Sequence, residues 1–415
     1  MFHWKNLGKC IFSLSNLKKI YSLPLRNQKD TTMLFRDIPS NVRAKQQLLK
    51  AVHSDRLSHA HLFLGNDGSS SLAMAWAFAQ YLICSQPTEE DSCGQCSSCL
   101  KSAKLSHPDL HWIFPVVTGR RAHPTSDMFL SDWRDFLMKN LFPSEEDWYS
   151  HLGTTNKQGF ISVNEANELN KKTILKPYEG SYRVVIIWHS EKMHGPTANK
   201  LLKLLEEPPQ KTIFILLTSQ SENLLSTIVS RLQSINIEPT DELSLSTFLQ
   251  DKFNIEKDRA DETAKLSEGN IGKSIHFLVG NDLLEQNTQE FQNWMRMCYK
   301  AKIVDLANWV DVANSWGREQ QKGFLQYALH MVRESLIQNF GHHNIKKVRQ
   351  EEAIFTEKFA PFIHQNNAIE IIEELERAYQ HIARNGSAKI IFMDLTLKMV
   401  ILLHVKSINL QTTTN

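Results

Sequence analysis

Four cysteines lie close together in the first third of the sequence, with the spacing C-x8-C-x2-C-x2-C: Cys84, Cys93, Cys96 and Cys99. Tetrahedral Zn²⁺ favours four thiolates, and a C-x2-C pair lets one turn deliver two of them. Reduced, uncoordinated thiols or stray disulfides are the alternative, but three cysteines at a strict interval of three residues favour metal binding. Because no histidine or carboxylate completes an open site, the pattern predicts a closed, structural zinc site.

A glycine-rich turn, GNDGSSSL, begins at Gly65, where an apolar run enters a helical pattern. This is the context of a phosphate-binding loop, whose pattern is G-x-x-x-x-G-K-[ST]. The loop includes Gly68, but Ser70 replaces the second glycine, Ser71 the phosphate-binding lysine and Leu72 the magnesium-binding hydroxyl. Without the lysine and the hydroxyl, a triphosphate is poorly neutralised. The alternative is an ordinary strand–helix turn that binds no ligand.

The apolar run that ends at residue 188 lacks a second part of the same chemistry. Phosphate-loop ATPases place an acidic pair at this point, one member for magnesium and one to activate water. Here the two positions hold Trp188 and His189, and Glu191 is offset from them. The joint loss favours a protein derived from an ATPase and released from hydrolysis. We therefore expect no ATP in this chain's own site.

These motifs lie among short apolar runs that predict strands, at residues 61–64, 110–114, 184–188 and 213–217. Near-continuous apolar runs suit strands that are buried on both faces of a parallel sheet. Helical patterns separate the runs, and one of them, with Ala198, Leu201 and Leu205 on one face, ends at Pro208. The alternation predicts a wound α/β domain over 33–238. Within it, the polar and aromatic stretch 115–159 is interpreted as an insertion.

After Pro239 the pattern is helical throughout. Residues 239–285 predict a small lid of short helices. Residues 286–415 predict only amphipathic helices; Ile371, Leu375 and Ile382, for example, lie on one apolar face. The predicted architecture is an α/β core, a helical lid and an all-α C-terminal domain.

Composition sets further bounds. Charged residues make up 22% of the 415 residues and hydrophobic ones 41%, so extensive disorder is not expected. No window approaches 18 consecutive apolar residues, so no membrane span is predicted. Residues 1–32 hold six basic residues and one acid, whereas the remaining body is near neutral. This leader is interpreted as an over-extended start before Met33, with organelle targeting as the alternative.

The sequence resembles the AAA+ subunits of bacterial clamp loaders, in particular the delta-prime family of DNA polymerase III subunits. The resemblance covers residues 33–290 well and the C-terminal domain only by architecture. Besides the four cysteines, it rests on LSHAHLF from Leu57, HPD from His107, ANKLLKLLEEPP from Ala198 and IVSRL from Ile228. It implies a P-loop-like AAA+ core with a small helical lid and a collar-type helical domain for oligomerisation.

The resemblance also implies a role for Ser230 and Arg231. In that family the Ser-Arg pair lies at a subunit boundary, and its arginine reaches the γ-phosphate that the adjacent ATPase subunit binds. A fixed cation facing the charge that develops in phosphoryl transfer would stabilise it. An ordinary surface or capping arginine is the alternative. The family usually has cysteine where this chain has Leu232.

The function implied by the resemblance is that of a non-hydrolysing clamp-loader subunit, which helps to load the sliding clamp onto primed DNA in the cytoplasm. The implied partners are ATPase and delta-type subunits, with the clamp and primer–template DNA reached through the assembly. The chain has no competent active site of its own, and polymerase activity belongs to the DNA polymerase III holoenzyme. Two alternatives remain: an active AAA+ ATPase, such as a helicase loader or the ATP-binding clamp-loader subunit, and a zinc-containing nucleic-acid binder acting alone.

Overall fold

The computed structural model of the chain describes residues 33–54, 56–117, 124–154, 159–173, 176–279, 281–339 and 350–405. The leader at 1–32 and parts of the predicted insertion lie outside the described residues. The chain divides into two compact units, Met1–Val279 and Gly280–Asn415. Among the helices that are described, none combines the length and apolar character needed to cross a membrane.

A sheet of five parallel strands forms the centre of the first unit, in the order β2-β3-β4-β1-β5. The strands are β1 (Ala60–Leu64), β2 (Leu110–Ile113), β3 (Arg183–Ile187), β4 (Thr212–Thr218) and β5 (Gln233–Asn236). Ala60 pairs with Phe214 and Val184 with Ile213. Strands β3 and β4 are buried along their whole length, as their near-continuous apolar sequences predict. The predicted parallel α/β core is confirmed.

The fifth strand was not predicted from the sequence. Its four residues, QSIN, include a single apolar side chain, Ile235, which is buried. The sequence of β5 therefore has almost no hydrophobic periodicity. The segment is a strand because it pairs with β1, where His61 is opposite Gln233 and Leu64 is opposite Asn236.

Helices cover both faces of the sheet. Those of the first unit are α1 (Val42–His53), α2 (Ser71–Ile83), α3 (Ser97–Ala103), α4 (Leu130–Lys139), α5 (Glu145–His151), α6 (Val163–Thr173), α7 (Gly195–Glu206), α8 (Ser226–Val229), α9 (Glu242–Phe253), α10 (Lys257–Leu266) and α11 (Ile271–Val279). Helix α2 packs on the face that carries Phe63 and Ile186. Helices α6 and α7 pack on the opposite face, which carries Leu62 and Val185. This division follows the two-residue alternation of side chains along a strand.

The predicted insertion contributes to the core through α4 and α5. Trp133 of α4 and Trp148 of α5 are fully buried and contact each other edge to face, with ring centroids 5.1 Å apart. Phe114, just after β2, stacks on Trp133 at 4.2 Å. The aromatic residues that made this stretch look unusual in the sequence thus form a cluster that holds α4 and α5 against the sheet.

Helices α9 to α11 form the end of the first unit and are called the lid segment below. The turn before α11 depends on Gly269, which has a φ of +78°. A Cβ at this position would lie 2.4 Å from the carbonyl oxygen of Thr240, so only glycine fits.

The second unit is entirely helical in its described residues, as predicted. It contains α12 (Asn281–Lys300), α13 (Ile303–Ser315), α14 (Arg318–Asn339), α15 (Gln350–Phe359), α16 (Ala368–Ala383) and α17 (Ala388–Leu402). Trp294 and Trp309 stack in its core with ring centroids 5.1 Å apart. The indole N–H of Trp294 donates to the buried hydroxyl of Thr396 at 3.0 Å, which satisfies its polar atom.

Candidate functional site

The four cysteines converge at the C-terminal end of α2. Cys84 follows that helix, Cys93 and Cys96 lie in the next turn, and Cys99 lies in α3. Their sulfur atoms all lie within 4.8 Å of one another. The Cys84 sulfur is 3.5 Å from that of Cys93 and 3.9 Å from that of Cys96. Four thiolates at about 2.3 Å from one tetrahedral ion stand about 3.8 Å apart, so the cluster has the dimensions of a single-ion site.

Backbone groups of the same turn support thiolate ligands. The N–H of Cys96 donates to the sulfur of Cys93 at 3.3 Å, and the N–H of Cys99 donates to that of Cys96 at 3.5 Å. Burial disfavours the Cys96 thiolate, but hydrogen bonds from Ser85 and Cys99 outweigh it and lower the pKa of Cys96 to about 6. Burial raises the pKa of Cys84 and, most strongly, that of Cys99. The four clustered cysteines can therefore bind a metal ion that replaces their protons.

The cysteine cluster also orders the first described residues of the chain. Asp91, which lies between Cys84 and Cys93, accepts hydrogen bonds from the backbone N–H groups of Phe35 and Arg36 at 3.1 and 3.2 Å. The turn that carries the cysteines is therefore hydrogen-bonded to the segment that follows Met33.

The degenerate phosphate loop connects β1 to α2, as predicted. The N–H of Gly65 donates to the carbonyl of Thr218 in β4 at 3.2 Å, and Gly68 has a φ of +75°. Leu72 is buried, and the hydroxyl of Ser70 accepts a hydrogen bond from the Asn41 side chain at 3.1 Å. Leu72, in the place of the magnesium-binding hydroxyl, is thus used for packing, and Ser71, in the place of the lysine, accepts a hydrogen bond from the Ser69 hydroxyl at 3.1 Å.

The loop is held from two further segments through Asp67 and Gly68. The Asp67 carboxylate accepts a hydrogen bond from the backbone N–H of Glu145, the first residue of α5, at 2.8 Å. In the lid segment, the Asn270 side chain donates to the Asp67 carbonyl at 2.7 Å, and the N–H of Gly272 donates to the Gly68 carbonyl at 2.8 Å. Core, insertion and lid segment therefore meet at this loop.

His189 lies beneath the loop, in the position where an ATPase has an acidic residue. It follows β3 with a φ of +52°, and only 5% of it is exposed. Its Nδ1 is 2.9 Å from the Glu191 carboxylate, and its Nε2 is 3.2 Å from Asp67 Oδ1, an ion-pair contact without good hydrogen-bond alignment. Burial lowers the pKa of His189, but Asp67, Glu191 and Glu145 outweigh burial and raise it well above its ordinary value. An imidazolium thus occupies the site between carboxylates.

The space left at the loop is small. The cleft between the loop and the residues Pro143, Trp188, His189 and Thr218 has a volume of about 10 Å³. Glu191, the carboxylate nearest to the expected acidic pair, is engaged by His189. Among the residues that line this cleft, the histidine is therefore the one group that can carry a positive charge, and it already contacts Asp67 and Glu191.

Arg231 has a different environment. It follows α8, and 37% of its side chain is exposed. Its Nη1 donates to the carbonyl of Thr227 at 2.8 Å, and its Nη2 forms an ion pair with Glu206 at 2.8 Å. Ser230, also exposed, donates its hydroxyl to the same carbonyl at 3.1 Å. The guanidinium therefore lies at the surface, between the ends of α7 and α8.

The register of the sheet separates Arg231 from the phosphate loop. Arg231 precedes β5, whose first residue, Gln233, pairs with His61 of β1. The loop begins at Gly65, four residues farther along the parallel strand, or about 13 Å. The two features lie at opposite ends of the strands, so this arginine does not face its own chain's loop.

The sequence predicted that six residues would form one degenerate nucleotide site. The structure places all six at the loop and its cleft: Gly65, Gly68, Ser71, Leu72, Trp188 and His189. Sequence reasoning missed the roles of Asp67, Glu145 and Glu206. Asp67 and Glu206 lie inside motifs that were noticed, so a charged residue in an otherwise unexplained motif position was the available signal. Glu145 gave no such signal.

Comparisons with known proteins agree with these features. A family model described as DNA polymerase III, delta subunit, matches residues 40–241. The chain is 27% identical over 250 residues to DNA polymerase III subunit delta′ of Bacillus subtilis, covering 60% of this chain and 62% of that relative. It is 25% identical over 305 residues to the subunit delta′ of Escherichia coli, covering 73% and 77%.

Another relative, matched over a smaller share of its length, has a related name. The chain is 28% identical over 197 residues to DNA polymerase III subunit gamma/tau of Mycobacterium tuberculosis, covering 48% of this chain and 27% of that protein. The match with the Bacillus subtilis relative spans less than two thirds of that protein's length. The chain, with its parallel five-stranded sheet and its helical second unit, is thus similar in sequence to the delta-prime subunits of DNA polymerase III.

Proposed function

We propose that this chain is a clamp-loader subunit that does not use ATP itself and supplies Arg231 to the nucleotide of a neighbouring ATPase subunit. The observation that carries the proposal is a difference between the charged groups at the two ends of the central sheet. At one end of the strands, the histidine beside the chain's own phosphate loop is paired with carboxylates, and at the other end an arginine is exposed.

The charged groups at the loop support the first half of the proposal. A triphosphate needs cations at this place, whereas the loop presents the Asp67 carboxylate, with Glu145 next to it. The imidazolium of His189 is already engaged by Asp67 and Glu191. ATP would have to disrupt these buried contacts and would meet two carboxylates instead of a lysine. We therefore expect neither tight binding nor hydrolysis.

The position of Arg231 supports the second half. An arginine supplied from another subunit accelerates phosphoryl transfer by about 10³–10⁵ in GTPases. Such an arginine must reach outward, and Arg231 is exposed at the strand ends away from its own loop. The neighbour that receives it would be an ATPase subunit, for which the gamma/tau-named relatives are the natural candidates. With a delta-type subunit, the assembly would act on the sliding clamp and primer–template DNA within the polymerase III holoenzyme.

For the cysteine cluster we propose zinc as the ion and a structural role. Tetrahedral sites with four sulfur ligands take zinc or iron–sulfur centres. Sulfur–sulfur distances of 3.5–3.9 Å suit one ion, since a cluster of several irons holds its cysteine sulfurs farther apart. A site with four protein ligands leaves no open position for catalysis.

The proposal is tested by assembling the loader with wild-type chain or the variant Arg231→Ala. We expect the variant to keep its fold, metal content and assembly but to lower the DNA- and clamp-stimulated ATPase rate and slow clamp loading. Arg231→Lys should rescue only in part, because a point charge does not reproduce the planar fork.

The matched control is Arg43→Ala, which removes an exposed arginine from α1. This helix begins beside Asn41, which contacts the phosphate loop at the other end of the strands. We expect wild-type rates with this control. Equal loading rates for wild type and Arg231→Ala would make Arg231 an ordinary surface residue.

A further inference from the structure

Glu206 is the last residue of α7 and the first acid of the block LLEEPP. Its carboxylate Oε1 lies 2.8 Å from Nη2 of Arg231, and both side chains are partly exposed. The block was noticed in the sequence as a motif, but the proposed function gives it no role. The contact joins two motifs that are 25 residues apart in the sequence.

Pro208 explains why Glu206, and not Glu207, makes this contact. A residue before proline is disfavoured in helical geometry, and Glu207 before Pro208 has left the helix with φ and ψ of −121° and 71°. Glu206 is therefore fixed as the final helical residue of α7. Its side chain is therefore next to Arg231, which follows α8.

The guanidinium is held from two elements at once. Nη2 contacts Glu206 on α7, while Nη1 donates to the carbonyl of Thr227 at 2.8 Å and approaches the Ser230 hydroxyl at 3.4 Å. Among the described residues, these contacts use three of its five N–H donors. Two donors remain for a phosphate oxygen.

We propose that Glu206 is a positioning residue for Arg231, holding the guanidinium in the orientation that meets the phosphate of the neighbouring subunit. The inference rests on the proposed function of Arg231. An unrestrained arginine loses side-chain conformational entropy when it binds a phosphate. A carboxylate that already orients the guanidinium makes this entropy loss smaller. An exposed ion pair is weak, so Glu206 orients the arginine without competing strongly with a phosphate.

The test is a double-mutant cycle in the assembled loader, with Glu206→Ala, Arg231→Ala and both together. We expect Glu206→Ala to lower the single-turnover rate of ATP hydrolysis roughly three-fold, the scale of an exposed ion pair, with little change in KM for ATP. Glu206→Gln, which keeps an acceptor oxygen, should lie between wild type and Glu206→Ala. In the Arg231→Ala background, removing Glu206 should have no further effect, because the group that it positions is gone.

Glu207→Ala is the matched control, since it removes the same exposed charge one residue away. We expect it to behave as wild type, and all variants to keep the wild-type Tm and metal content. If Arg231→Ala has no effect, the proposed function fails. If Arg231→Ala is slow but Glu206→Ala is unchanged, faster than wild type, or equally harmful in both backgrounds, Glu206 is not a positioning residue.

Discussion

The ion pairs at the two ends of the central sheet differ in how deeply they are buried. At the carboxyl ends of β1 and β3, His189 is buried and lies against Asp67 and Glu191. At the amino end of β5, Arg231 and Glu206 form an ion pair in which both side chains are more than a third exposed. Removing one partner of a buried pair costs about 3–5 kcal/mol, whereas an exposed pair contributes up to about 1 kcal/mol. The first end is thus part of the chain's stability, and the second is free to exchange partners.

Metal removal is expected to have the largest effect on the stability of the first unit. Metal-binding free energy reaches about 10 kcal/mol or more in small zinc domains and is part of the folding free energy. We expect about one zinc per chain, and Cys96→Ser or a strong chelator should lower the Tm of the first unit. Metal analysis and thermal unfolding measure both effects.

The control is Cys298→Ser, since Cys298 is buried in the second unit and is not one of the four clustered cysteines. This variant should keep the metal. Protein purified without chelator that holds almost no metal, with four freely titrating thiols, would refute the zinc site.

Replacing His189 is expected to have the next largest effect. His189→Gln keeps a polar side chain but leaves the buried carboxylate of Glu191, and that of Asp67, without a counter-charge. We expect a loss of about 3–5 kcal/mol in the free energy of unfolding, measured by denaturant titration. The exposed His194, replaced in the same way, is the control and should change stability by less than about 0.5 kcal/mol. Equal stabilities of the two variants would show that the buried contacts contribute little.

The pH dependence of stability tests whether His189 is charged in the folded chain. A histidine whose pKa is raised in the folded state contributes stability that is complete below its unfolded value of 6.5 and is lost as pH rises through the folded value. The pKa of His189 is raised well above 6.5, and Asp147 raises that of His276 to about 9. We expect the free energy of unfolding to fall between pH 6.5 and 9.

His276 is 40% exposed, so solvent screening makes its share the smaller one. In a variant with His189→Gln, the decline between pH 6.5 and 9 should be shallower than in wild type, as measured by unfolding at several pH values. Parallel curves for the two proteins would mean that His189 is not charged in the folded chain.

Added nucleotide is expected to have the smallest effect. Millimolar ATP with magnesium should leave the Tm of the isolated chain unchanged, because the loop presents the Asp67 carboxylate and lacks the phosphate-binding lysine. Calorimetry gives the direct measurement. A Kd in the low micromolar range, about −8 kcal/mol of binding, would show that other groups have replaced the missing lysine and would favour the ATPase alternative.

The sequence allowed local features to be predicted better than contacts between distant polar residues. Apolar runs predicted four strands, and the spacing of the cysteines predicted their convergence, because both signals lie within a few residues. Strand β5 could not be predicted because only Ile235 carries its pattern. The contact between Asp67 and His189 joins residues 122 positions apart, and no periodicity encodes it. A single polar side chain gives no sign of which distant charge it will meet.

The proposed action of Arg231 on a phosphate bound by another subunit links this chain to the function of the assembly. The most direct measurement is single-turnover ATP hydrolysis by the assembled loader, with wild-type chain or Arg231→Ala, on primed DNA and clamp. With wild-type chain we expect a fast phase from the site that faces Arg231. With the variant we expect that phase to slow by about 10³-fold or more while the remaining sites are unaffected. A fast phase of unchanged rate and amplitude in the variant would contradict the account.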